Sequence, residues 1–215
     1  KRLSETYIFT RREELANAIT HGIGAALSLA ALAVLVVCAA LRGTALHVVS
    51  FAVYGTAMLL VYTASTLVHS LPEGKAKRAC EIADYACIYL FIAGTYTPVA
   101  LHAVQGALGR TLLAAVWTAA AAGIAFQSLF PGRYPVVSTL LYIATGWMIV
   151  AAWEPLAGRM EADGLALLVL GGLAYTIGTV FFLWRKLKYH HAVWHSFVVA
   201  GSALHFCAIL FHLLP

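Results

Sequence analysis

The chain alternates long apolar runs with short polar breaks. The runs lie near Gly22–Leu41, Leu46–His69, Ile82–Leu101, Leu108–Phe130, Val136–Trp153, Leu165–Leu183 and Ala192–Leu214. Each is about 20 residues, the length that crosses roughly 30 Å of hydrocarbon as a helix. The breaks carry turn and charge signals: Arg42-Gly43, Pro72-Glu73-Gly74, Gly106 to Arg110, Pro131-Gly132-Arg133, Glu154 to Gly164 and Arg185 to His190. None has room for a soluble domain. In lipid each spanning segment must satisfy its own backbone polar groups, which makes runs of this length helical. The pattern predicts one all-α, polytopic membrane domain over residues 1–215, a seven-transmembrane helix bundle entered through a short polar segment, residues 1–20.

Composition agrees. Apolar residues make up 62% and charged residues 11% of the 215, where a soluble domain carries about 25% charged. Mean hydropathy is +0.85. The net charge of +5 is not a nucleic-acid footprint, and no nucleic-acid partner is expected, because the cations are sorted by side. Lys1, Arg2, Arg11, Arg12, Lys75, Lys77, Arg78, Arg133, Arg185, Lys186 and Lys188 fall on one side of the seven spans, and Arg42, Arg110 and Arg159 on the other. By the positive-inside rule the N-terminus is cytoplasmic and the C-terminus outside. The first apolar run is too long for the core of a cleavable signal peptide. Cys38, Cys80, Cys87 and Cys207 lack metal or disulfide spacing and read as small packing residues.

Charge sorting also gathers chemistry at one edge. His69 closes the second span, Asp84 lies about one turn inside the third, and His191 and His195 open the seventh. All these ends are expected on the cytoplasmic face. His191 and His195 are spaced i, i+4, which puts both rings on one helical face, able to share a metal or to face headgroups together. Ser65 lies one turn before His69 on the same face. Asp84 is the one acid inside an apolar run, and such residues usually face the bundle interior with a partner; reaching back to water, or to Lys77 or Arg78, is the other option. Three imidazoles with an open position make a catalytic rather than a structural zinc site, and zinc brings its bound water to a pKa of about 7. A neighbouring carboxylate could take that water's proton and return it to a leaving group. The absence of thiolates and the scarcity of carboxylates favour zinc over magnesium or calcium.

The other histidines divide. His21 starts span one at the same edge, and Glu14, Asn17 and His21 share a helical face, either supporting the site or packing a helix start on the bundle. His205 is roughly 15 Å deeper than His195 at about 1.5 Å per residue, so it lines a cavity or packs. His47 and His102 belong to the outer edge. Trp147, Trp153, Trp184 and Trp194 read mostly as interfacial anchors.

Taken together, Ser65-x-x-x-His69, Asp84-Tyr85, Gly94-Thr95-Tyr96-Thr97-Pro98, His191-x-x-x-His195 and the stretch Asn17-Ala18-Ile19-Thr20-His21-Gly22 resemble the hemolysin III proteins, bacterial members of the progestin and adiponectin receptor (PAQR) superfamily. The resemblance covers nearly the whole chain. It implies a seven-helix bundle with a cytoplasmic N-terminus, zinc on His69, His191 and His195, and Asp84 and Ser65 at the positions associated with the metal-bound water. Kinship with alkaline ceramidases implies hydrolysis of a lipid amide, while the haemolytic name implies lytic or pore-forming activity.

Three readings follow. The first is a zinc-dependent hydrolase of a membrane lipid amide or ester, with Asp84 and Ser65 catalytic. The second is a channel or lytic protein, which should string ionisable groups across the midplane. The third is a receptor or regulatory scaffold that zinc merely pins together. The expected partner is a membrane lipid, as substrate or ligand, in a bacterial inner (cytoplasmic) membrane.

Overall fold

The first helix starts well before the first apolar run. Thr10 caps it: the Thr10 hydroxyl accepts from the Glu13 N–H at 3.3 Å, and the Glu13 carboxylate accepts from the Thr10 N–H at 2.9 Å, a reciprocal capping box. The helix α1 then runs Arg11–Arg42. Its buried residues, Glu13, Asn17, His21, Gly24, Ser28, Leu35 and Ala39, recur at helical spacing on one face. Leu15, Ile19, Ile23 and Leu27 on other faces are 52–60% exposed. A soluble helix would turn the polar stripe outward. Here the solvent is hydrocarbon, so polar and small residues pack inward and leucine and isoleucine meet lipid.

The structure, a computed structural model, describes residues 9–215. Lys1 and Arg2, counted above for the charge asymmetry, lie outside the described residues. After α1 come α2 (Ala45–Ser70), α3 (Lys75–Pro98), α4 (Gly106–Leu129), α5 (Pro135–Gly146), α6 (Trp153–Ala157), α7 (Ala162–Leu183) and α8 (His190–His212). Seven helical segments are long and apolar enough to cross a membrane, and among the described residues there is no strand. The chain is an integral membrane protein. Helix α1 packs on α2 and α8, α2 on α3, α3 on α4, and α7 on α8. That ring brings the end of α2 to the starts of α1, α3 and α8.

Two spans depart from a plain helix. In the third, Pro98 lacks a backbone donor, and the chain continues as a π-helical turn, Val99–Val104, closed by Gln105 N–H to Ala100 O at 2.9 Å. The fifth breaks at Gly146–Trp147 into a 3-10 stretch, Met148–Ala152, followed by α6. Backbone groups freed by a break in hydrocarbon need partners. The Tyr96 hydroxyl supplies them, donating to Gly146 O at 2.8 Å and accepting from Ile149 N–H at 2.7 Å. Trp147, expected as an interfacial anchor, instead donates to Thr176 Oγ1 of α7 at 3.0 Å.

Mid-bundle, the Tyr62 hydroxyl donates to Ser202 Oγ at 2.7 Å, Tyr175 Oη lies 3.1 Å from the same oxygen, and Tyr54 donates to Ser202 O at 3.3 Å. This knot ties α2, α7 and α8. His205 packs rather than lining a cavity, with Nε2 3.0 Å from Leu168 O and its ring filling the space a Cβ on Gly171 would occupy. All four cysteines are free.

Candidate metal centre

Helix ends put the imidazoles together. His69 is the penultimate residue of α2, and His191 and His195 lie in the first two turns of α8. One nitrogen from each ring lies within 4.8 Å of one from each other ring, and no fourth histidine, cysteine or carboxylate joins them among the described residues. His69 and His195 are buried and His191 half-buried. Ring centroids are 5.0 Å apart for His69–His191, 5.3 Å for His69–His195 and 4.4 Å for His191–His195. Phe9 covers this edge, with ring centroids 5.1 Å from His191 and 5.7 Å from His69.

The backs of two rings are held from α1. His69 Nδ1 lies 2.5 Å from Glu14 Oε2 and only 3.5 Å from Asn17 Nδ2. The short contact to a carboxylate puts the proton on Nδ1. In a neutral ring that leaves the lone pair on His69 Nε2, which is buried and without a hydrogen-bond partner. His195 Nδ1 is 3.2 Å from Asn17 O and 3.1 Å from Thr20 Oγ1. The Thr20 hydroxyl is itself 2.9 Å from Ala16 O and donates there, so it accepts from His195. Both rings therefore carry the proton on the outward nitrogen, the arrangement that frees Nε2 for a metal. Three imidazoles, one with a buried, unpartnered nitrogen, fit a zinc ion and fit magnesium or calcium poorly.

His21 lies against this group. Its ring stacks on His195 with centroids 3.4 Å apart and meets Tyr62 edge-on at 4.9 Å. Neither of its nitrogens has a hydrogen-bond partner. The sequence reading left open whether Glu14, Asn17 and His21 support the site or only pack; the structure shows all three in contact with its histidines. Thr20 and Phe9 were missed. The available signals were the Thr10-x-x-Glu13 pair, which extends α1 back to the site, and the Glu14–Asn17–His21 stripe.

Helix α3 starts at Lys75, so Asp84 is more than two turns into the helix. The Ser65 hydroxyl is buried beside it at a geometry too loose for a hydrogen bond. Lys77, weighed as a partner for Asp84, pairs with Glu14 at 2.7 Å and Glu73 at 2.9 Å instead. Asp84 thus adjoins the site through Ser65, one turn along α2 from His69, and is not among the clustered donors.

Residues 9–206 match the family model described as "Haemolysin-III related". The chain is 48% identical over 205 residues to "Hemolysin-3 homolog" of Bacillus subtilis (strain 168), covering 95% of this chain and 96% of that one. It is 50% identical over 204 residues to "Hemolysin-3" of Bacillus cereus, covering 95% and 93%. It is also 30% identical over 166 residues to the human "Monocyte to macrophage differentiation factor", covering 73% of this chain and 67% of that one. No solved structure matches the chain.

Proposed function

Since the chain belongs to the haemolysin-III-related family, we propose that it is a membrane zinc protein that hydrolyses an amide or ester bond of a membrane lipid. One observation carries the proposal. Three imidazoles from two helices converge within 4.8 Å, and the buried Nε2 of His69 has no partner within the protein. His69, His191 and His195 are the ligands. Zinc, when bound, polarises a carbonyl and brings water towards ionisation at neutral pH.

The chain's own residues do the rest. Asp84 takes a proton from water and delivers it to the leaving amine or alkoxide. Ser65, between Asp84 and His69, holds the water or the carbonyl oxygen by a hydrogen bond. The apolar outer faces of the helices leave the acyl part of a substrate in lipid while its polar bond reaches the edge of the bundle. That edge is cytoplasmic in this reading. Of the described lysines and arginines, nine flank the helix ends on the histidine side and three the ends opposite, which favours the histidine side as the inside. The membrane is the bacterial cytoplasmic membrane.

The test is metal analysis of the purified protein, followed by mass spectrometry of a lipid amide and ester panel incubated with it. Stoichiometric zinc and zinc-dependent release of a fatty acid are expected. The names of the Bacillus relatives favour a second, lytic reading. Leakage of dye-loaded vesicles that persists in a zinc-free His191→Ala, His195→Ala protein, with no lipid hydrolysed, would replace the first reading by the second.

A further inference from the structure

Behind His69 stands a chain of charges that three-imidazole ligation alone does not require. Glu14 divides its two oxygens: Oε2 lies 2.5 Å from His69 Nδ1, and Oε1 accepts from Lys77 Nζ at 2.7 Å. Lys77 Nζ also reaches Glu73 Oε1 at 2.9 Å. Lys77 is 7% exposed, which is rare for a lysine unless it is paired. The groups come from α1, α2, the turn after α2 and the start of α3, so no single helix holds them.

We infer that Glu14 and Lys77 act as positioning residues that fix the ring plane and the tautomer of His69 for the metal; the inference rests on the metal reading above. An anionic Glu14 accepting from Nδ1–H keeps the proton there and turns the Nε2 lone pair towards His191 and His195. A carboxylate on the far nitrogen also makes an imidazole a more basic ligand. With one oxygen on His69 and the other on Lys77, the carboxylate has little freedom to rotate, and the imidazole bonded to it inherits that constraint. Lys77 supplies a countercharge directly on the partly buried carboxylate. Its second partner, the exposed Glu73, leaves its ammonium paired on both sides. Ion pairs that only fastened helices together would not need the ligand itself as the terminal member.

The test uses the full chain in detergent or nanodiscs and reads zinc affinity by chelator competition, beside thermal stability. Glu14→Gln, which keeps the shape and removes the charge, should weaken zinc about 10- to 100-fold. Lys77→Met should weaken it in the same direction by less, and Lys77→Arg should restore it. The Glu14→Gln, Lys77→Met double variant should bind about as weakly as Glu14→Gln alone, because the lysine acts through the carboxylate. Nitrogen-15 spectra of labelled histidines in the metal-free protein should show the His69 proton on Nδ1 in the wild type and a tautomer mixture in Glu14→Ala. Unchanged zinc affinity in Glu14→Gln and Lys77→Met, with only the melting temperature lowered, would reduce the network to a helix fastener. A wild-type His69 protonated on Nε2 would overturn the inference even if every variant failed to fold. A wild type that binds no zinc would end the metal reading, and this inference with it.

Discussion

The imidazole of His21 lies over that of His195, their centroids 3.4 Å apart and their planes 12° from parallel. One ring comes from α1 and the other from α8, so the stack is where the first and last spans meet at the histidine edge. Tyr62 of α2 abuts the His21 ring from the side, and a Cβ on Gly24 would come within 2.6 Å of the Tyr62 ring. Ring shape is therefore what the position uses most directly. His21→Phe should keep stoichiometric zinc and nearly wild-type stability. His21→Ala should cost about 2–4 kcal/mol, as large-to-small changes in packed cores do, and should loosen zinc by freeing His195. Equal melting temperatures for the phenylalanine and alanine variants would show that the stack holds nothing together.

Removal of the metal should be felt by the whole bundle. The proposed ligands join the end of α2 to the start of α8, more than a hundred residues apart in sequence. A ligand that binds only the folded state stabilises it by RT ln(1 + [L]/Kd), about 2.7 kcal/mol at a hundred times Kd. Chelation should lower the melting temperature, and the His191→Ala, His195→Ala protein should melt at the chelated temperature with or without added zinc. A melting temperature indifferent to chelation, with zinc loss verified by metal analysis, would contradict this.

The seven spans and their ends were legible because hydrocarbon imposes a length and a composition on every segment, and lysines and arginines mark the ends. That sufficed to bring His69, His191 and His195 to one edge from positions more than a hundred residues apart. What held the histidines was less legible. Glu14, Asn17 and Thr20 precede the first apolar run, where hydropathy carries no signal and only the capping pair announces a helix. The break in the fifth span has no proline to mark it. It depends on Tyr96, a residue from another helix, and a pairing of that kind leaves no trace in local sequence.

Tyr96→Phe tests that dependence. The substitution keeps the ring and removes the hydroxyl that serves Gly146 O and Ile149 N–H. One or both backbone groups then lose their partner, at about 1–3 kcal/mol for each buried group left unsatisfied. The expected result is a lower melting temperature and faster hydrogen exchange in Met148–Ala152, with zinc content unchanged. Unaltered exchange in that stretch would mean the 3-10 segment is self-supporting.

In the proposed reaction Asp84 and Ser65 serve the chemistry and not the binding of the metal. Neither is among the clustered donors, so Asp84→Asn should retain most of the zinc. A carboxamide cannot accept a proton from water at neutral pH, so turnover should fall by roughly 10²- to 10⁴-fold, the usual worth of a positioned acid–base group. Ser65→Ala should lower turnover by less, because it removes one hydrogen bond to water or carbonyl and leaves the proton path in place. The measurement is release of free fatty acid from the most reactive lipid of the panel, with zinc determined on the same samples. Equal release by wild type and Asp84→Asn would remove Asp84 from the chemistry. Loss of zinc in Asp84→Asn, together with a carboxylate oxygen at the direct-bond distance of about 2.0–2.2 Å in a zinc-loaded structure, would make Asp84 a ligand and shift the weight to a closed, structural metal centre.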